Sequence, residues 1–533
     1  MLTIIKIIFG PALAFSALIW SISALALTDV SASLLIATDK GLVVGSDQNG
    51  HLSFKGIPFA EPPVGPMRWM PPVPAAPWHT PLEATKFRDV CATNLSLGGF
   101  AVTGESEDCL YLNVYAPSRS IKTSGKLPVM VWIHGGGLGT GSGNDYDVTR
   151  LLDKGVIVVT INYRLGVFGY FSHPAINSEG HPAINYGTMD QQAALKWVNK
   201  NIAQFGGDSA NVTLFGQSAG GHSVLAQIVS PGAKGLFQKA IISSGSYSLV
   251  QPSVEEASVL GVQIASNVGC GNSEVKKTAA CLRSLSAHDL LEKGKINFIS
   301  DQVVTDGRVI PLEFSTAFKE GRFNRVAVIN GYNSNEGTFF AALRVLQSGH
   351  PIDRNDYRFG LKAFLGASSG DKLFAMANVP ADSGDLGRNY ADFFGRAKFI
   401  CPTLAINSLL SKYISVYEYE FSDITAPSFL PEVSFPYKAS HTSELQYIFK
   451  DFHGASGKFT PLNEEQKKLS SQMVSYWTNF ARSGNPNSKH LPFWRSFKPN
   501  TESTLLFSLS NLSMITAVSD KYGCESILKV LER

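Results

Sequence analysis

Four short runs rich in Val and Ile constrain this chain more than anything else in it. They are Leu127-Pro128-Val129-Met130-Val131-Trp132-Ile133, Val156-Ile157-Val158-Val159-Thr160-Ile161, Val212-Thr213-Leu214-Phe215 and Ala240-Ile241-Ile242. A strand with one wet face alternates apolar and polar residues; runs without that alternation need cover on both faces. Between the second and third runs, Ala193, Ala194, Trp197, Val198 and Ile202 recur at helical spacing, which predicts a helix over residues 189–205. Strand, helix, strand is the pattern of a parallel sheet. Further strands are expected at residues 325–329 and 414–421, and the segment from about residue 344 to 400 is expected to form a helical cap over the sheet. The expected fold class is α/β, with a mostly parallel central sheet and helices on both faces.

At about 150 residues per domain, 533 residues allow three to four domains. With no internal repeat and no low-complexity linker, residues 27–533 are read instead as one body. Hydrophobic residues make up 44% and charged residues 17%, enough apolar material for a large core and too little charge for a disordered chain. The net charge of +3 comes with no block of five basic residues, so nucleic acid is not an expected partner.

Residues 1–26 carry one charged side chain, Lys6, before an apolar stretch that ends in Ala24-Leu25-Ala26. This is read as a cleaved signal peptide, with an uncleaved N-terminal anchor as the alternative. No other stretch approaches twenty uninterrupted apolar residues, so no stable membrane span is expected after cleavage, and the chain is placed in a periplasm or outside the cell. The cysteines at 91, 109, 270, 281, 401 and 524 are even in number, as an exported disulfide protein requires. Fifteen pairings are formally open for six cysteines. Nearness in sequence favours Cys91 with Cys109 and Cys270 with Cys281, leaving Cys401 with Cys524. No metal site is expected, because no CxxC occurs and no His lies at ligand spacing from a Cys pair.

Gly216-Gln217-Ser218-Ala219-Gly220 matches GxSxG, a weak signal in a chain with 48 glycines, and Gly366-Ala367-Ser368-Ser369-Gly370 matches as well. The motif has physical meaning only where a buried strand enters a tight turn and a helix follows, because the glycines then relieve the crowding around an outthrust serine. Ser218 has that context and is the expected nucleophile; Ser368 is expected in a surface loop. Attack on an ester leaves a negative oxygen, and His134-Gly135-Gly136-Gly137 directly follows the run at 127–133. Gly136, Gly137 and Ala219 are the expected backbone donors to that oxygen. Chain order in this architecture is serine, acid, histidine. His441 lies in a loop after the strand expected at 414–421 and before a helix-like stretch over 445–452, and is the expected base. His350, His453 and His490 are expected at the surface. Glu336 is the expected acid, with Asp306 as runner-up, and Phe339 and Phe340 are expected to border the cleft.

Longer stretches carry a resemblance. Phe205-Gly206-Gly207-Asp208 through Gly220, Glu107-Asp108-Cys109-Leu110-Tyr111-Leu112-Asn113-Val114, Asn162-Tyr163-Arg164-Leu165-Gly166 and Asn335-Glu336-Gly337-Thr338-Phe339-Phe340 are similar to the type-B carboxylesterase and cholinesterase family, over about residues 30–520. The resemblance implies an α/β-hydrolase fold, the triad Ser218, Glu336 and His441, the oxyanion donors already named and the same three disulfides. It further implies no cofactor, and a buried ion pair between Arg68 and Glu107.

Three departures bear on the substrate. The 17 residues between Cys91 and Cys109 contain no Trp, where cholinesterases place one to stack on choline, so choline esters are disfavoured. Gln217 stands where cholinesterases carry Glu, and a loop this short makes a poor lid. The chain around Cys524 also lacks the aromatic pair expected after that cysteine. The expected activity is hydrolysis of small-molecule carboxylic esters of short to medium chain through an acyl-enzyme. The alternatives are a lipase, a peptidase, or a non-catalytic adhesion or binding relative. Asn94-Leu95-Ser96 and Asn511-Leu512-Ser513 are glycosylation sequons that matter only in a eukaryotic host.

Overall fold

The computed structural model describes residues 34–121, 126–181, 184–271, 274–294, 303–379, 384–510 and 512–532. The expected signal peptide lies outside the described residues. Thirteen strands among the described residues form one sheet. In chain order they are β1 (Leu34–Ala37), β2 (Leu42–Gln48), β3 (His51–Pro58), β4 (Leu82–Glu83), β5 (Tyr111–Pro117), β6 (Leu127–Ile133) and β7 (Ile157–Ile161), then β8 (Gly207–Gln217), β9 (Lys239–Ser243), β10 (Ala327–Asn333), β11 (Val416–Phe421), β12 (Thr504–Phe507) and β13 (Ser513–Ile515). Across the sheet the order is β1-β2-β3-β5-β7-β6-β8-β9-β10-β11-β12-β13, with β4 beside β2.

From β7 to β12 every neighbouring pair is parallel. Each residue of β7 and of β9 is buried, so both faces are covered, as unbroken apolar runs require. The half of the sheet made by β1, β2, β3 and β5 is antiparallel and was not expected. β2 and β3 alternate buried and partly exposed residues for most of their length and so lack the continuous apolar signal, while β5 is buried from Leu112 to Pro117 but carries Asn113 within its run. Strand positions differ from expectation mainly at the ends. β8 extends the run at 212–215 in both directions, and β10 runs to Asn333 rather than stopping at 329.

The helix expected at 189–205 is α1 (Tyr186–Asn201), finished by a 3₁₀ turn, Ile202–Phe205, that Gly206 ends at φ 84°. α2 (Ala219–Val229) packs on β6, β8 and β9. The expected cap comprises α3 (Gly337–Ser348), α4 (Arg354–Leu365), α5 (Ala367–Met376) and α6 (Gly387–Gly395), after which α7 (Cys401–Leu410) packs on β10 and β11. α8 (Glu464–Ser483) starts at a reciprocal cap between Asn463 and Gln466 and lies on β6 and β8; α9 (Cys524–Leu531) begins at the last cysteine. The helix-like stretch after His441 is shorter than expected. It spans only Leu445–Ile448, because the chain turns out at Phe449 to bridge Lys450 to Asp147.

Candidate active site

β8 delivers Ser218 into a turn that few residues tolerate. Ser218 has φ 55° and ψ −126° and is followed at once by α2, with its N–H held by Ser243 O at 2.8 Å. The flanking glycines are obligatory here. A Cβ on Gly220 would lie 2.0 Å from Ile133 O, and one on Gly216 would lie 2.5 Å from the Gly220 backbone. Ser368 has no such setting. It lies in the first turn of α5, exposed, rather than in the expected loop, because Gly366 at φ 83° ends α4 and the chain re-enters helix immediately.

His441 and Glu336 meet across the ends of β10 and β11. His441 Nδ1 donates to Glu336 Oε2 at 2.6 Å, and Glu336 Oε1 accepts from Asn333 N–H at 2.8 Å. Both side chains are buried. The two loops that carry them are stitched together. Asn335 N–H donates to Ala439 O at 3.0 Å, Asn333 Nδ2 donates to Ser440 O at 2.7 Å and Thr338 Oγ1 to Tyr437 O at 2.7 Å. Gly337 is required by close approach, since a Cβ there would sit 1.9 Å from Ala391 O.

No hydrogen bond joins Ser218 Oγ to His441 among the described residues. The Nε2 edge of His441 is met by Gln217 Nε2 at 3.3 Å instead.

The His134-Gly135-Gly136-Gly137 turn leaves β6 beside Ser218. Gly136 and Gly137 have φ 104° and 63°, and a Cβ on Gly136 would strike Thr140 O at 2.2 Å. No backbone carbonyl among the described residues takes the N–H of Gly136 or Gly137. His134 is the rigid base of this turn. Burial pulls its imidazole down to about 4, its Nδ1 pairs with Gly135 O at 2.8 Å, and its ring stacks on Tyr163 at 4.4 Å.

Ser218, Gly136, Gly137, Gln217 and His441 open into one cavity of about 1070 Å³, bordered as expected by Phe339 and Phe340. Its outer walls come from residues 247–252, from α4 and from the turn leading into α7. Among the described residues no group of three or more His, Cys, Asp or Glu side chains stands ready to hold a metal ion.

Other expected residues fall as follows. Cys91–Cys109, Cys270–Cys281 and Cys401–Cys524 are all disulfides, the last despite its unusual flank. Arg68 Nε donates to Glu107 Oε2 at 2.7 Å, and Nη1 reaches Leu282 O at 3.0 Å in a buried setting. Asp306 shapes a turn by accepting from the N–H groups of Arg308 and Ile310, and takes no part in the site. His350 is exposed beside Asp356, His490 is exposed, and His453 is half-buried against Phe459.

Sequence reasoning missed two buried groups. Glu444 lies three residues after His441 and bonds to Asn333; burial and the neighbouring Glu336 push its carboxyl up to about 7. Lys398, also buried, lines the cavity and donates to Phe364 O at 3.0 Å. The three-residue step from His441 to Glu444 was the only sequence signal for the first; the second had none.

Comparison with known proteins widens the argument from these residues to the whole chain. Residues 32–522 match the carboxylesterase family. The chain is 36% identical to human (Homo sapiens) cocaine esterase over 88% of its own length and 86% of that protein's. It is 35% identical to para-nitrobenzyl esterase of Bacillus subtilis (strain 168), over 89% and 94% respectively. A solved structure of PNB esterase superposes with a TM-score of 0.78 at 32% identity, covering 93% of this chain and 99% of that one, so the sheet and its helices form an α/β-hydrolase fold. With a serine on a strand-to-helix elbow and a likeness that spans sequence and structure alike, the chain belongs to the carboxylesterase family and is a serine carboxylic-ester hydrolase.

Proposed function

We propose that this protein hydrolyses small-molecule esters through an acyl-enzyme on Ser218, with His441 as base, Glu336 as its orienting acid, and the N–H groups of Gly136, Gly137 and Ala219 as the oxyanion hole. The observation that carries this reading is the 2.6 Å contact between His441 Nδ1 and buried Glu336, which leaves Nε2 as the proton acceptor on the cavity side. In the first half-reaction the Oγ–H proton moves to Nε2, Oγ bonds the carbonyl carbon, and the carbonyl π pair moves onto oxygen. Collapse of that intermediate expels the alcohol oxygen, which takes the proton from Nε2. Water then attacks the acyl carbon, gives its proton to Nε2, and frees the acid as Oγ recovers a proton. Each oxyanion donor is worth roughly 10²- to 10³-fold in rate.

The preferred esters are of short to medium acyl chain, with room for one bulky group. The loop between Cys91 and Cys109 is tied to itself by Ala92 N–H to Ser106 O at 2.9 Å and by paired bonds between Thr93 and Gly104, which suits a fixed wall better than an interfacial lid. The cavity exceeds what a small acetate ester fills, and the names of cocaine esterase and para-nitrobenzyl esterase both point to bulky esters. Export to a periplasm or beyond the cell accords with three disulfides and with the lack, among the described residues, of a helix long and apolar enough to cross a membrane.

The test is initial rates on p-nitrophenyl esters from acetate to palmitate, with Ser218→Ala in parallel. The expected result is a maximum at short or medium chains and a loss of at least about 10⁴-fold in the variant. A maximum at palmitate makes the protein a lipase, and full activity in Ser218→Ala removes the assignment.

A further inference from the structure

The side chain beside the nucleophile is bound to the base, and half of its hydrogen-bonding capacity is unused. Gln217 Nε2 stands 3.3 Å from His441 Nε2, and Gln217 is wholly buried, yet its Oε1 has no hydrogen-bond partner among the described residues. Several buried side-chain oxygens lack a partner among the described residues, Asn333 Oδ1 and Glu444 Oε1 among them, so position rather than rarity singles this one out. Here the orphan lies on the same carboxamide that touches the atom expected to gain a proton. The space around it is kept open by Gly135, where a Cβ would come within 3.0 Å of Oε1.

We propose that Gln217 is a positioning residue for His441, whose carboxamide donates to the neutral ring at Nε2 and, turned over, accepts from the protonated ring through Oε1. A neutral Nε2 is an acceptor and a protonated one is a donor. Of the side chains that fit this space, an amide carries both roles, and a half-turn about its last torsion exchanges them. A carboxylate serves only the protonated ring, and a hydrocarbon serves neither.

Among the described residues no second side chain bonds that edge of the ring. Phe339, Phe340 and Phe399 pack around it at centroid distances of 5.7, 5.1 and 4.9 Å. Glu336, from the end of β10, occupies Nδ1. Glu444, on the histidine's own loop, is bound to Asn333, and Lys398, before α7, points its Nζ at Phe364 O. Tyr419 of β11 is a further titratable group behind Glu336 and Glu444. Ser218 Oγ must displace the amide from the Nε2 lone pair before it can give up its proton. Gln217 thus holds the ring ready until substrate and serine take over that edge.

The inference rests on the proposed triad, and the experiment separates the two. Rates on a soluble p-nitrophenyl ester are measured against pH for wild type, Gln217→Glu, Gln217→Met and Ser218→Ala, with thermal melting to verify folding. A carboxylate this close to the ring favours the imidazolium, so Gln217→Glu is expected to move the acid limb of kcat/KM upward by about one pH unit or more. Gln217→Met keeps the volume but neither bond, and is expected to lower kcat by about tenfold with KM within about twofold. Folded variants with the wild-type limb and wild-type kcat overturn the role of Gln217 while the triad stands. If Gln217→Glu fails to fold, the split between kcat and KM in Gln217→Met decides alone. Activity retained in Ser218→Ala overturns the triad, and this inference with it.

Discussion

Ser218 sits at a backbone conformation that an L-residue adopts only under constraint, at φ 55° and ψ −126°. Such positions cost about 1–3 kcal/mol, and glycine escapes that cost. If the strain is retained to expose a hydroxyl, Ser218→Gly should be more stable than Ser218→Ala by about 1 kcal/mol, with both inactive. Comparing their thermal melts tests this, and an alanine variant at least as stable would show that the turn is unstrained. The two GxSxG matches make the same point about residues. Their letters are equivalent, but only at Gly220 would an added Cβ fall 2.0 Å from a neighbouring strand's carbonyl, Ile133 O, because β6 and β8 are adjacent.

At the level of elements, β11 carries a buried carboxyl that couples the sheet to pH. Burial pushes Glu418 up to about 8, even though Asn407 Nδ2 and Thr504 Oγ1 donate to it at 2.6 and 2.8 Å. Its folded value lies above its unfolded one near 4.5, so the native state holds the extra proton between the two. The contribution of Glu418 to stability is full below about pH 4.5 and is lost as pH rises toward 8, on the order of 1.4 kcal/mol for each pH unit crossed. Glu418→Gln keeps the shape without the titration. Its melting temperature should therefore fall less than that of wild type between pH 5 and 8.5, and parallel falls in the two proteins would exclude Glu418 as the source. The elements also show where pattern reading succeeds. β6, β7 and β9 were legible because both faces are covered, whereas β1 to β3, at one side of the sheet, were not, because strands with partly wet residues between buried ones lack an unbroken apolar run.

Across the whole molecule, Arg68 joins parts of the chain far apart in sequence. It pairs with Glu107 and donates to Leu282 O, and its own carbonyl accepts from Arg283 Nε at 3.0 Å; Arg283 in turn holds Glu179. Removing one partner of a buried pair leaves a stranded charge and costs about 3–5 kcal/mol, while replacing both by apolar groups is far milder. Arg68→Met should lower the urea midpoint sharply, and Arg68→Met with Glu107→Leu should recover most of it. A double variant no better than the single would mean that the carbonyl contacts matter more than the charges.

Chain order and the family resemblance gave Glu336 and His441 as the expected acid and base, with Asp306 left as runner-up. Taken alone, the sequence determined the parallel half of the sheet, the elbow at Ser218 and the glycine turn after β6. Each of these is a local signal, either an unbroken apolar run or a motif whose residue types are forced by the turn it occupies. Tertiary structure decided the rest. That Asn333 and Asn335 stitch the Glu336 loop to the His441 loop, that Gln217 rather than Ser218 meets Nε2, and that α4 and the turn before α7 wall the cavity all depend on groups brought together from distant parts of the chain. Periodicity reports how one segment faces a core; it carries no record of which side chains from other segments will meet it there.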